Sequence, residues 1–125
     1  MNQIGPASPF LITADLSASL AFYQGDLGWD VYHTTPDPVP FFAIVGQGEA
    51  QIMLKEIGEG VKPLPNASRH ADAPWDVFIY KPDPDATHAA APLCPGPKLR
   101  DDGLYGFAIE DPDGYVMYFG RPIQG

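Results

Sequence analysis

The sequence predicts an α+β protein in which one module is repeated twice within a single domain of 125 residues. Three observations carry that prediction. Leu104 to Arg121, LYGFAIEDPDGYVMYFGR, joins two apolar strand segments through a turn rich in Pro, Gly and Asp, and reads as a β-hairpin. Shifting the chain by 65 positions sets Phe42-Ala43-Ile44 on Phe107-Ala108-Ile109 and Ile52-Met53-Leu54 on Met117-Tyr118-Phe119, with no gap between the matches. Shifting it by 68 sets Phe10 on Phe78, Asp15 on Asp83 and Ala18 on Ala86, which extends the likeness to a strand and a helix start.

The elements follow in order. Phe10 to Thr13 is a strand, and Asp15 or Ser17 caps a helix in which Leu16, Leu20, Tyr23 and Leu27 form one apolar stripe. Gly28 suits the left-handed position that ends it. Trp29 to Thr35 is a strand, Pro36, Pro38 and Pro40 mark a loop, and Phe41 to Val45 and Ala50 to Ile57 form a hairpin around Gly46-Gln47-Gly48-Glu49. Residues 58–74 lack an apolar period and read as the linker between module one, about 8–57, and module two, about 75–122. Trp75 to Tyr80 is a strand. Asp83 then stands at an N-cap, Pro84 at the first helical position, and Ala86 to Ala91 form a short helix stopped by Pro92. The loop from Pro92 to Asp102 has room for a strand of two or three residues. In the closing hairpin Pro112 presets φ, Gly114 takes positive φ, and Asp111 and Asp113 can bond their own backbone.

Composition excludes several function classes. A hydrophobic fraction of 45% is too high for intrinsic disorder, and the longest apolar run, Pro38 to Val45, is too short to cross a bilayer. The N-terminal MNQIGPASPF lacks a secretion pattern, and the single Cys94 forms no internal disulfide and no thiolate cluster, which fits a reducing cytoplasm. A net charge of −9, with seven Lys and Arg spread along the chain, argues against nucleic-acid binding. The same charge keeps a small protein dispersed and could draw in a cationic ligand.

Two βαβββ modules, the helix DLSASLAFYQGDLGW and the closing DPDGYVMYF together resemble the vicinal oxygen chelate superfamily of glyoxalases, bleomycin-resistance proteins and extradiol dioxygenases. The likeness covers roughly residues 8 to 122. It implies a half-open mixed β-sheet cleft formed by both modules, helices outside, a ligand in the cleft, and a homodimer. Metal-using members place His, Gln or Glu ligands in the first and last strand of each module; those positions fall here on Ser8, Met53, Asp76 and Tyr118. This set holds one carboxylate and no imidazole, so the expectation is no metal and no cofactor. His33, His70 and His88 lie away from all four positions.

Strand alternation gives the faces independently of the resemblance. If Ser8, Met53, Asp76 and Tyr118 face a cleft, then Leu11, Ile52, Leu54, Val77, Ile79, Met117 and Phe119 face the helices, and that second set is apolar throughout. The cleft side then offers Ser8, Phe10, Gln51, Met53, Asp76, Phe78, Tyr80 and Tyr118 as ligand-binding candidates, an aromatic surface with a few polar groups. Three functions compete: a metal-free protein that binds an aromatic or cationic small molecule; an enzyme of the same superfamily, metal-dependent or with Asp76 as general base and Tyr118 as donor; and a dimeric module without a small ligand. Arg100 and Arg121, flanking the closing hairpin, read as surface arginines with an anion clamp as the alternative.

Overall fold

In the computed structural model, which describes residues 4–123, β1 (Phe10–Ile12) leads to Asp15, whose carboxylate accepts the Ala18 N–H at 3.2 Å and starts α1 (Leu16–Leu20). That cap satisfies one of the orphan donors of the first turn. The Leu16 N–H is taken by Glu56 at 2.8 Å. Below α1 the buried Ser19 and Thr13 hydroxyls satisfy each other at 2.6 Å.

From Ala21 to Asp26 the helix widens into a π-helical segment, its end marked by the Leu27 N–H on the Phe22 carbonyl, five residues back. The expected single α-helix is therefore two helical forms in series. The apolar stripe does not reveal where the hydrogen-bond register changes; Leu16 and Tyr23, one in each form, are both buried, 1% and 0% exposed. Strands β2 (Asp30–Thr35), β3 (Phe42–Gln47) and β4 (Ala50–Lys55) complete module one, with strand order β1-β4-β3-β2 and β1 parallel to β4.

The chain divides between Pro63 and Leu64 into two compact units. The second opens with a one-turn helix in the linker, α2 (Asn66–Arg69), followed by β5 (Val77–Tyr80). Asp83 accepts the Ala86 N–H at 3.2 Å to start α3 (Pro84–Ala90), with Pro84 in the first turn. A two-residue β6 (Lys98–Leu99), β7 (Leu104–Glu110) and β8 (Val116–Pro122) give the order β5-β8-β7-β6, with β5 parallel to β8. Both units are thus βαβββ with one four-stranded mixed sheet each. Among the described residues no helix is long and apolar enough to cross a membrane.

The repeat is real, but one of its matches is displaced. Phe10 pairs with Met53 and Phe78 with Tyr118, so the shifts of 68 and 65 carry the parallel strand pair of one module onto that of the other. The antiparallel hairpin departs from this. Met53 pairs with Ile44, whereas Tyr118 pairs with Ala108 and not with Ile109. Within the sheets, Ala43 therefore corresponds to Phe107 and Val45 to Ile109, and all four are buried. The Phe-Ala-Ile identity is out of register by one residue, and the gap lies in the turns. Gln47 pairs with Ala50 around a two-residue turn, Gly48 and Glu49, while Glu110 pairs with Val116 around residues 111–115. A slip of one residue reverses which face a side chain meets, so burial settles the alignment where letter identity misleads.

Turn chemistry explains the longer loop. The buried Asp111 carboxylate accepts the N–H groups of Asp113 and Tyr115, each at 2.9 Å, and Gly114 has φ +89°. This is the Asx-type closure the sequence predicts, made by Asp111.

Candidate functional site

The two sheets place the sequence-predicted residues in two groups. In module one, Ser8 is half-buried just ahead of β1, Phe10 is 55% exposed, and Gln51 and Met53 are half-buried on β4, with Ile52 and Leu54 buried on the other face. The Phe10 ring lies 6.1 Å from that of Phe42. The alternation expected from the sequence holds in this strand.

Module two gathers the denser set. Pairing of Phe78 with Tyr118 across β5 and β8 brings their rings to 5.4 Å. Trp75, just before β5, lies 4.6 Å from Tyr118 at 30°, and Tyr80 lies 4.7 Å from Phe78. Trp75, Tyr118, Phe78 and Tyr80 thus form a continuous row of rings within the distances at which aromatic pairs attract beyond their area burial. One end is open, since Tyr80 is 74% exposed. Trp75 at the other end is half-buried, and between them Tyr118 is 2% exposed, its hydroxyl buried with no hydrogen-bond partner among the described residues. Burial pushes the Tyr118 phenol above its usual range, Arg100 opposes that, and Asp102 adds to it.

Asp76 does different work from its neighbours. Oδ1 accepts the Asn66 N–H at 2.8 Å and Oδ2 accepts the Val116 N–H at 2.9 Å, so this carboxylate braces the linker helix and the start of β8. Both oxygens are engaged with backbone, which leaves the general-base role without a supporting contact.

Arg100 crosses the sheet from the β6 edge. Its guanidinium carbon stands 4.7 Å from the Trp75 ring centre and 5.9 Å from that of Tyr118, and its Nε pairs with Asp102 at 3.1 Å. Gly106 lies on the intervening strand, packed so closely on β8 that a Cβ there would meet the Phe119 carbonyl oxygen at 2.1 Å and the Gly120 Cα at 2.7 Å. Lys98, Arg100, Gly106, Ala108 and Tyr118, with Cys94 among the rim residues, line a groove of about 320 Å³ in this unit. Burial raises the Cys94 thiol, so at neutral pH it is not a thiolate nucleophile. The residues alone place Lys98 in no site and give Arg100 an anion clamp only as the alternative to a surface role. Their signal is period-2 spacing on a very short strand, and Trp75 is reached only through the tertiary fold.

The donors at the four family metal positions do not suit a transition metal. Ser8 and Tyr118 offer hydroxyls, Met53 a thioether, and Asp76 a carboxylate already holding two N–H groups. Among the described residues no three His, Cys, Asp or Glu side chains converge. The histidines are occupied separately: His33 edges Phe42 at 6.1 Å, His70 Nδ1 accepts the Asp72 N–H at 3.0 Å, and His88 Nε2 meets the Cys94 carbonyl at 2.5 Å.

Comparison with known proteins gives no matching family model and no match among curated proteins. Solved structures do match. A bleomycin-binding protein complexed with bleomycin superposes with a TM-score of 0.68 at 20% identity, covering 94% of this chain and 98% of its own. A glyoxalase/bleomycin resistance protein/dioxygenase from Nocardioides gives 0.66 at 16% identity, covering 100% and 87%. An antibiotic-binding protein from a Streptomyces species gives 0.64 at 19% identity, covering 98% of each chain. With the paired βαβββ units these likenesses establish that the chain has the vicinal oxygen chelate fold of the glyoxalase and bleomycin-resistance proteins.

Proposed function

We propose that this chain is a metal-free binding protein for a small planar aromatic molecule, held against the aromatic row of module two. The observation that carries the reading is the row itself, Trp75, Tyr118, Phe78 and Tyr80, exposed at one end and bordered by a groove. Stacking on such a surface is favourable for any flat π-system and needs no metal. The likeness to bleomycin-binding and antibiotic-binding proteins supports a role in holding a small molecule. The poor donor set at Ser8, Met53, Asp76 and Tyr118 supports the metal-free part. Module one presents the second candidate surface, with Ser8, Phe10, Gln51 and Met53. The family resemblance adds the proposal of a homodimer, for which light scattering should give twice 13.5 kDa.

Elemental analysis of protein purified without added metal, followed by fluorescence titration with a panel of planar aromatic compounds, tests the proposal. The expected result is no stoichiometric metal and saturable quenching that Trp75→Phe abolishes. Stoichiometric Zn, Ni, Mn or Fe would overturn the metal-free reading, and absence of quenching across the panel would overturn the binding role.

A further inference from the structure

We infer that the ligand of the module-two site is a planar aromatic acid, its ring on the Gly106 and Ala108 floor beside the aromatic row and its carboxylate at Lys98 and Arg100. This rests on the aromatic-binding reading and adds the ligand's charge.

Three observations converge on the groove. The chain is acidic, with a net charge of −9 and only seven Lys and Arg, yet two of the seven, Lys98 and Arg100, line this one groove. Neither cation is saturated. Arg100 is paired through Nε alone, to Asp102, so its terminal nitrogens have no acceptor among the described residues, and the exposed Lys98 ammonium has none either. The Tyr118 ring also lines the groove, 5.9 Å from the Arg100 guanidinium carbon, and its buried hydroxyl has no partner among the described residues. Two unsatisfied cations on one groove define a place for an acceptor, and a carboxylate matches the planar fork of Arg100.

Local charge decides the sign of the ligand against the global charge. The protein's net negative field favours cations at long range, but it is screened over about 8–10 Å at ordinary ionic strength. Among the residues that line the groove the charged ones are the two cations, with Asp102 paired to Arg100 from outside the lining. A cationic ligand would meet Lys98 and Arg100 directly. The floor also suits a flat ring, since Gly106 carries no side chain and Ala108 only a methyl group.

Three probes of one size separate the possibilities: 2-naphthoate, 2-naphthamide and 2-naphthylmethylammonium, each titrated calorimetrically into the full chain at fixed salt. The expected result is naphthoate tighter than naphthamide by about tenfold or more, as a charge-assisted contact implies. The ammonium probe should be the weakest. Arg100→Gln and, separately, Lys98→Gln should each reduce the preference of acid over amide, with melting curves confirming that both variants fold. Equal binding of acid and amide, or tightest binding of the ammonium probe, would overturn the acid assignment and leave the aromatic site standing. No binding of any probe would overturn both. An acid preference unchanged in both variants would show that the carboxylate lies elsewhere and would also overturn the inference.

Discussion

Asp76 and Val116 are joined twice: the Asp76 N–H donates to the Val116 carbonyl at 2.8 Å, and the Val116 N–H donates back to Asp76 Oδ2 at 2.9 Å. The other carboxylate oxygen takes the Asn66 N–H, so one side chain links the linker helix to the edge of the closing hairpin. Asp76→Ala would strand two part-buried N–H groups and should lower unfolding free energy by about 3 kcal/mol, with Asp76→Asn costing roughly half of that. Urea denaturation checks it. A variant as stable as the parent would remove the brace from this account.

Tyr118 should behave in the opposite direction. Its hydroxyl is buried without a partner, a loss that Phe does not suffer, so Tyr118→Phe should raise the stability of the free protein by about 1 kcal/mol. The same substitution should weaken binding of 2-naphthoate. Thermal melting with and without the probe measures both effects, and a destabilised free protein would mean that the hydroxyl has a partner.

Alkaline pH gives a further test. Burial raises the phenols of both Tyr115 and Tyr118 above their ordinary value of about 10. The unfolded chain loses those protons first, so their effect on stability is absent below pH 10 and becomes a progressive loss as pH rises through the raised values. Unfolding free energy should therefore fall above about pH 10, and Tyr115→Phe should make that fall shallower. A profile identical to the parent's would exclude Tyr115 as a source.

Gly106 tests the floor of the groove. The atoms that an added Cβ would meet are backbone of β8, at 2.1 and 2.7 Å, and they cannot swing aside. Gly106→Ala should cost about 3 kcal/mol and disturb the pairing of β7 with β8. Hydrogen exchange of the β8 amides would report the second effect directly; unchanged protection together with unchanged stability would contradict the geometry.

Local chemistry was legible from the residues alone. Asp15 and Asp83 cap their helices because a short carboxylate can reach the exposed first-turn N–H groups, and Asp111 closes its turn for the same reason. Alternation in β4 put Ile52 and Leu54 inward because strand side chains repeat every two residues. These are effects of neighbours in sequence, and they were enough for the two βαβββ modules. What only the tertiary structure decided depends on distant partners. It set the hairpin register one residue away from the Phe-Ala-Ile identity, brought the Asn66 and Val116 N–H groups onto the Asp76 carboxylate, and laid Arg100 over Trp75. A period or a turn motif records how a residue meets its own strand or helix, but carries no record of which far-off N–H, ring or carboxylate the fold will bring beside it.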